Sequence, residues 1–286
     1  MAQPDSAKTR GSTRPDFATI GGLVLALGGI VAGLLMEGGK LQDVAQVTSA
    51  LIVLGGTLGA VMITTPLPVL RRAAKQLSSV ILGKVPATND VLDDIIGYAT
   101  QARRNGIVSL EEEAASIGDP FLRKALGLAV DGIESDKIRE IMELEIEMFE
   151  QRSEAEAKVF EAAGGYAPTI GIIGAVLGLI QVMKNLADID EVGRGIAVAF
   201  VATVYGVGVA NIIFLPVANK LKARAKEVVQ LREMMLQGVL SIAEGLNQKI
   251  IRMQLEAYSP PQADSSKAVN AKRGTSAAPA SATVRS

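Results

Sequence analysis

The chain has 286 residues, of which 49% are hydrophobic and 21% are charged, and its formal net charge is −1. Apolar residues concentrated in a few blocks are typical of an integral membrane protein with a soluble part, and the small net charge gives no global basic field for nucleic acid. Because cysteine, histidine and tryptophan are absent, the sequence excludes disulfides, thiol chemistry, Cys/His zinc sites and histidine-based triads or proton relays.

Four runs without charged residues are long enough to cross a membrane as helices. The runs cover residues 17–36, 44–70, 162–183 and 195–219. A hydrocarbon core about 30 Å thick needs roughly 20 helical residues, so each run predicts one span, numbered one to four below. Pro66 and Pro68 break helices, and we therefore expect span two to end near Thr65. Four such runs disfavour the alternative of core helices in a soluble protein.

The first run follows basic residues, as the apolar part of a signal peptide does. It is longer than such a segment, and MEGGKLQD follows it in place of a small-x-small cleavage site. We therefore expect a retained span.

The charged residues that flank the spans predict their orientation. The connections at 37–43 and 184–194 are slightly acidic. Basic residues instead follow spans two and four: Arg71, Arg72, Lys75, Lys220, Lys222, Arg224 and Lys226. Positively charged loops remain on the cytoplasmic side, so both termini and the long segment between spans two and three are predicted to be cytoplasmic. The two short connections then face outward.

These features predict an all-α integral membrane protein with a large helical cytoplasmic domain between spans two and three. The predicted segments are a cytoplasmic N-terminal segment (1–16), a transmembrane hairpin (17–65), the cytoplasmic domain (66–161), a second transmembrane hairpin (162–219), a cytoplasmic helix (220–258) and a tail (259–286). Small and polar residues dominate the tail, and such a composition is typical of disorder.

Helical periodicity predicts three long cytoplasmic helices. The first covers 89–105 and ends at Gly106. The second begins near Ser135 and meets no helix-breaking residue before Gly164, so it is predicted to run into span three as one rod. The third extends span four from Lys220 to about Ala257. Spans three and four thus have long cytoplasmic extensions, whose apolar stripes are expected to pack together or against neighbouring subunits.

Small residues line one face of span three and one face of span four. They are Gly171, Gly174, Ala175, Gly178, Ala199, Thr203, Gly206 and Ala210. Such stripes most often let two helices pack closely, and this is the simpler interpretation. Polar or helix-breaking residues lie near them, however: Tyr166, Pro168, Thr169, Thr203, Asn211 and Pro216. A proline frees a backbone carbonyl and a hydroxyl can coordinate an ion, so the alternative is a narrow polar seam between the two spans.

No Asp, Glu, Lys or Arg lies within the four runs. Carriers of protons or cations normally need an ionisable group inside the membrane, so a partner subunit is expected to supply the carboxylate if the chain conducts ions. In the second short loop, Asp188, Asp190 and Glu191 fit a solvated turn better than a cation site. The sequence contains no recognisable catalytic constellation, and we expect neither an enzyme nor a bound cofactor or metal.

The segment ARRNGIVSLEEE, residues 102–113, places Arg103 and Arg104 before Gly106 and Glu111 shortly after it. This charge pattern fits a solvated corner between two helices. The alternative is a docking surface that uses exposed charges of both signs for steering and register.

Spans three and four resemble the MotA/PomA family, the A-type stator subunits of the bacterial flagellar motor. YAPTIGIIGAVLGLIQVM, a short acidic loop, GIAVAFVATVYGVGVANIIFLPVANKLK and ARRNGIVSLE carry the resemblance, which covers roughly residues 17–257. It implies a pentamer in the inner membrane around two copies of a MotB/PomB-like B subunit. That subunit supplies a transmembrane Asp and anchors to peptidoglycan. Ion flow then turns the ring of A subunits, whose cytoplasmic domain contacts the rotor protein FliG.

The resemblance also implies roles for individual positions. Rotor contact is implied for Arg103, Arg104 and Glu111. Together with the seam hypothesis, it predicts an ion path lined by Thr203, Ala175, Gly171, Pro168, Pro216, Thr169 and Tyr166. Sodium-driven relatives tend to carry hydroxyls where this chain has Ala175 and Ala202. Because an apolar side chain cannot ligate a partly dehydrated Na⁺, protons are favoured over sodium as the transported ion.

Three other functions predict sequence features that differ from those of a stator subunit. An ExbB/TolQ-type energiser of outer-membrane processes typically has three spans and an outside N-terminus. A transporter acting alone would need its own polar or ionisable ligands in a discontinuous helix. A purely structural scaffold leaves Thr203 unexplained. The sequence therefore favours a stator subunit that couples ion influx to torque.

Overall fold

The computed structural model describes residues 17–81 and 88–258. The predicted N-terminal segment (1–16) and the predicted disordered tail (259–286) lie outside these described residues. Every regular element in the described ranges is a helix, and four helices are long and apolar enough to cross a membrane. The predicted all-α membrane fold is thereby confirmed.

Spans one and two are the first two membrane helices. Span one is α1 (Phe17–Met36), and none of its residues is buried against the rest of the described chain. A turn and the short α2 (Leu41–Val44) lead to span two, which is built from α3 (Val47–Ala50), a π-helical turn (Leu51–Gly55) and α4 (Gly56–Thr64). Thr65 is extended before Pro66 and ends α4, as predicted. The next helix is α5 (Leu67–Ile81).

Between α5 and the helix that becomes span three, the described residues form three α-helices. α6 (Thr88–Asn105) agrees with the helix predicted over 89–105. Gly106 follows it with a φ of 84°, a left-handed conformation that glycine adopts without strain, and so ends the helix. A 3₁₀ turn (Ile107–Leu110), α7 (Glu111–Ser116) and α8 (Pro120–Val130) come next. Asp119 caps α8 by accepting hydrogen bonds from the amides of Phe121 and Leu122.

Two long rods connect the helical domain to the membrane. α9 (Ser135–Lys184) is one helix of 50 residues, as predicted, and ends as span three. At 1.5 Å per residue it is about 75 Å long, more than twice the thickness of a hydrocarbon core. The second rod consists of α10 (Ile189–Val209), a π-helical turn (Ala210–Phe214) and α11 (Leu215–Ala243). The two rods pack side by side over both the membrane part and the helical domain.

The hydrophobic core of the helical domain lies where α6, α8, α9, α11 and the last helix, α12 (Gln248–Glu256), meet. Fully buried side chains from these helices include Ile95, Leu126, Ile138, Met234 and Leu255. At the edge of the core, the guanidinium of Arg232 lies 5.1 Å from the ring centre of Phe121 and 4.1 Å from that of Phe149. Burial between these rings lowers the pKa of Arg232.

The single helix predicted from Lys220 to about Ala257 is wrong, because α11 ends at Ala243 and α12 begins at Gln248. Gly245, with a φ of 69°, forms the turn between them. Its amide donates to the Ile242 carbonyl, and the Leu246 amide donates to the Ser241 carbonyl. This pair of hydrogen bonds is the Schellman motif that closes many helices.

Asn247 then begins α12 by accepting a hydrogen bond from the amide of Lys249. Apolar residues recur at helical spacing on both sides of the turn, and this spacing alone predicted continuity. The local signals for a break were Gly245 and Asn247, two residues that favour turns and caps. The consequence is that α12 folds back and adds Ile251 and Leu255 to the core.

Candidate functional site

The small-residue stripes of spans three and four face each other. A Cβ atom added to Gly206 would lie 2.5 Å from the carbonyl oxygen of Ala167 and 3.0 Å from the Cα of Gly171. A Cβ added to Gly171 would in turn lie 2.9 Å from the carbonyl oxygen of Ala202. These distances are shorter than van der Waals contact, so glycine is what lets the two backbones meet here.

The same close packing continues along the pair. A Cβ added to Gly178 would lie 2.7 Å from the carbonyl oxygen of Gly195, and one added to Gly174 would lie 2.7 Å from the Cβ of Ala202. The stripes are therefore explained by helix packing within one chain. Since no room for a side chain or an ion remains along this line of contact, a polar seam would have to follow an edge of the pair.

Span two covers one edge of this pair. A Cβ added to Gly56 of span two would lie 2.8 Å from the Ile170 side chain. The hydroxyl of Ser49 donates to the Val198 carbonyl at 3.3 Å, and the hydroxyl of Tyr205 donates to the Val44 carbonyl at 2.6 Å. Ile170 thus marks the side of span three next to span two, and Val198 and Tyr205 mark that side of span four.

Three of the residues predicted to line the ion path share the opposite edge. At about 100° per residue, Pro168 and Ala175 lie roughly 40–60° around span three from Gly171, on the side away from Ile170. Thr203 lies on span four next to this contact, on the side away from Val198. All three side chains are partly exposed. The structure therefore brings Pro168, Ala175 and Thr203 together along one edge, which we call the open edge.

The other predicted lining residues lie elsewhere. Gly171 is buried in the contact between spans three and four, so in this chain it packs against a helix. Tyr166 packs against a hydrophobic cluster that includes Val61 of span two, and Thr169 is exposed with its hydroxyl donating to the Tyr166 carbonyl. Pro216 is exposed at the start of α11. Their roles in an ion path stay predictions.

Two prolines and one threonine affect the local hydrogen bonding of spans three and four. Pro168 lies inside α9 and has no amide hydrogen, so it cannot donate to a carbonyl one turn earlier. Pro216 is the second residue after the π-helical turn Ala210–Phe214, where the hydrogen-bond pattern shifts by one residue. The hydroxyl of Thr203 donates to the Ala199 carbonyl at 3.1 Å. Its oxygen lone pairs remain able to accept a hydrogen bond at the open edge.

Sequence reasoning missed two buried hydroxyl residues of span two. Ser49 is 0% exposed and Thr57 is 2% exposed. Ser49 binds span four as described above, whereas the Thr57 hydroxyl has no hydrogen-bond partner within the described residues. The sequence did contain a signal, because hydroxyls in a membrane helix usually face protein rather than lipid.

The acidic loop between spans three and four contains the residue that caps the N-terminus of α10. Asp188 accepts hydrogen bonds from the amides of Asp190 and Glu191 and caps α10. Glu191 also pairs with Arg194. Among the described residues no cluster of potential ligands has the arrangement of a metal site. The solvated turn, which the sequence favoured, fits these contacts.

The residues of the predicted docking surface lie around one sharp corner. Arg103 and Arg104 end α6, Gly106 turns the chain, and Glu111 begins α7. All three charged side chains are exposed, and within residues 17–81 and 88–258 none of them forms an ion pair. The corner therefore presents two cations and one anion to solvent without an ion-pair partner among the described residues.

Comparisons with known proteins identify the family. A sequence profile described as the MotA/TolQ/ExbB proton channel family matches residues 113–234, and one described as motility protein A N-terminal matches residues 20–104. Motility protein A of Bacillus subtilis (strain 168) is 36% identical over 246 residues, which are 86% of this chain and 91% of that protein. The chain belongs to the motility protein A family.

Two solved structures extend the likeness from sequence to fold. A chain of the C. jejuni MotAB structure superposes with a TM-score of 0.83 at 32% identity, covering 86% of this chain and 97% of that chain. A chain of the flagellar MotAB stator complex from Bacillus subtilis gives 0.78 at 35% identity with the same coverage. The motility protein A N-terminal profile also matches spans one and two. The match to the motility protein A family therefore extends beyond the region described as shared with TolQ and ExbB.

Proposed function

We propose that this chain is the A subunit of a flagellar motor stator in the bacterial inner membrane, where it forms an ion channel with a B subunit and couples ion influx to torque. The observation that carries the proposal is the likeness over 86% of the chain to the two MotAB structures, one of which is described as a flagellar stator. The matching profile describes a family of channels rather than of enzymes.

The proposed B subunit completes what the spans lack. No Asp, Glu, Lys or Arg lies in the apolar runs of this chain. The open edge instead offers a hydroxyl at Thr203 beside the small side chain of Ala175, and Pro168 lies on the same edge inside α9. A single-span MotB/PomB-like helix with a transmembrane Asp would fit along such an edge, because small residues allow close approach. The Asp would carry the ion, and the hydroxyl would hydrogen-bond to it.

The exposed apolar surface of span one supports an assembly of several A subunits. The apolar face of span one is open, with Phe17 77% exposed, Leu25 78% and Met36 89%. Lipid and neighbouring subunits would cover such a surface. We propose a homo-pentamer around the B subunits with both termini in the cytoplasm, consistent with the distribution of basic residues. The exposed corner of Arg103, Arg104 and Glu111 would contact the rotor protein FliG.

Protons are the proposed ion. Ala175 presents a methyl group at the open edge. Ala202 of span four is 0% exposed and packs against Gly174 of span three. Neither side chain can supply an oxygen to replace the hydration shell of Na⁺. A proton needs no such shell and requires only a carboxylate and hydrogen-bonding groups, here the B subunit's Asp and Thr203. No bound cofactor is proposed.

The test is a rotation assay in cells that depend on this chain and its B subunit for swimming. Thr203→Val keeps the shape of the side chain but removes the hydroxyl, so we expect rotation to slow several-fold while the amount of assembled complex stays normal. With protons as the ion, the rotation speed of the unchanged protein should follow the proton gradient at any external sodium concentration.

Thr64→Val is the matched control. The Thr64 hydroxyl also donates to carbonyls of its own helix, at 3.2 Å to Ala60 and 3.2 Å to Val61, but it lies at the end of span two away from the open edge. This variant should rotate normally. Normal rotation with Thr203→Val would contradict the role of the open edge, and a sodium requirement would contradict protons.

A further inference from the structure

A groove with five glutamates runs along the helical domain between α9 and the end of α11. We call it the acidic groove; its glutamates are Glu140, Glu143, Glu147 and Glu150 of α9 and Glu233 of α11. The groove has a volume of about 710 Å³, and Tyr258, the last described residue before the tail, lines it as well. Arg139 is the one basic residue among its described lining residues.

The acidic charge of the groove is only weakly compensated within the described chain. Glu140 pairs with Lys137 at 2.7 Å, and Glu143 lies 4.0 Å from Arg139. Both pairs are exposed and lie on one helix, and such pairs contribute at most a few tenths of a kcal/mol. Within the described residues, Glu150 and Glu233 form no ion pair. The lining of the groove therefore carries a net negative charge that a cationic segment would offset.

The chain itself carries such a segment directly after Tyr258. Residues 259–286 contain Lys267, Lys272, Arg273 and Arg285 but one acidic residue, Asp264. The charge of this tail is thus opposite to that of the groove from which it leaves. A tail that starts at the groove binds there more readily than a free cationic partner, because tethering gives it an effective concentration of about millimolar.

The distances allow the contact. The first and last glutamates of α9 in the groove are ten positions apart, or about 15 Å along the helix at 1.5 Å per residue. Lys267 follows Tyr258 by nine residues, which extend to at most about 30 Å, and Lys272 and Arg273 reach farther. Each basic residue of this group can therefore meet the groove carboxylates without strain on the chain.

We propose that the tail docks in the acidic groove of its own chain through Lys267, Lys272 and Arg273. The docked tail covers the cleft between α9 and α11, the two helices that continue spans three and four. Its attraction is electrostatic and distributed over several pairs, so it weakens with ionic strength. This interaction is separate from the proposed channel and does not depend on it.

Disulfide trapping tests the proposal cleanly, because the chain contains no cysteine. Gln237→Cys puts a thiol in the groove and Ala271→Cys puts one beside Lys272. The full-length double variant is purified with its B subunit and oxidised mildly. Disulfide formation within one chain is measured as the loss of free thiols from protein of monomer mass. We expect this pair to close about tenfold faster than the control pair Ser116→Cys with Ala271→Cys, given tethered concentrations of millimolar order. Ser116 is exposed on α7, outside the groove.

Charge reversal separates docking from chance encounter. Adding Glu143→Lys and Glu147→Lys to the groove pair should slow closure toward the control rate, and adding Lys272→Glu and Arg273→Glu to that variant should restore it. About 0.5 M salt should also slow closure, because the Debye length falls to a few ångströms. Equal rates for the groove and control pairs would overturn the proposal. A disulfide-linked dimer as the main product would also overturn it, since the tail would then occupy the groove of a neighbouring copy.

Discussion

At the scale of single residues, the contact of spans three and four depends on glycine at positions where no flexible side chain can yield. The atoms nearest to a Cβ on Gly206 belong to the backbones of Ala167, Gly171 and Pro168. Gly206→Ala should therefore force the helices apart and lower the stability of the protein by about 1–3 kcal/mol, the usual cost of overpacking. Thermal unfolding of the detergent-solubilised complex measures the change.

Gly208→Ala is the matched control, two residues along the same helix. A Cβ there meets nothing within 4 Å in this chain. Replacing glycine by alanine in a helix without a steric conflict removes unfolded-state entropy, so this variant should be as stable as the original or more stable. If both variants unfold at the same temperature, the close contact between spans three and four is not a determinant of stability.

At the residue scale, the sequence predicts which residues share a helix face but not what that face contacts. The glycines at intervals of three and four identified the packing faces of both spans, because periodicity alone determines which residues share a face. Spacing could not distinguish a face that packs within the chain from one that faces a partner. Gly171 was grouped with Ala175 for this reason, although one lies inside the contact and the other at the open edge.

At the scale of elements, the long rods were predictable and the turn at the end of the second rod was missed. A run of 50 residues without a strong break predicts α9 correctly, since Pro168 is tolerated within it. α11 and α12 share an apolar periodicity, but four residues of turn lie between Ala243 and Gln248. Tertiary packing of α12 on the core selects the turn, and a periodicity count does not contain that information.

The turn gives an element-scale prediction. Gly245→Ala would place a Cβ in a left-handed conformation, which costs roughly 1–2 kcal/mol for a residue other than glycine. We expect this loss in the unfolding free energy of the full chain, together with earlier proteolysis at the α11–α12 turn as α12 detaches. Limited proteolysis with mass spectrometry locates the cleavage.

Gly97→Ala provides the opposite case in the same domain. Gly97 lies inside α6, and a Cβ there meets nothing within 4 Å. This substitution should stabilise the protein by roughly 0.5–1 kcal/mol, because alanine is the better helix former. A destabilising Gly97→Ala with a neutral Gly245→Ala would refute the assignment of the turn to backbone conformation.

At the scale of the whole molecule, the exposed charged corner lies in a different part of the chain from the charge-free runs of spans three and four. The membrane part contains the packed stripes and the open edge, whereas the exposed corner of Arg103, Arg104 and Glu111 belongs to the helical domain. Two rods, α9 and the helix from α10 through α11, connect these parts without an interruption. The two rods therefore give a continuous packed connection between spans three and four and the helical domain.

The corner supplies the whole-molecule prediction. Arg103→Glu combined with Glu111→Lys should lower torque several-fold if the corner contacts the rotor through charge. Both side chains are exposed and unpaired within the described residues, so the fold and the amount of complex should not change. Glu227→Lys, at another exposed site, on α11, is the control and should retain normal swimming. Partial rescue by opposite charge reversals on the rotor protein would identify the contact, and unchanged torque in the double variant would exclude it.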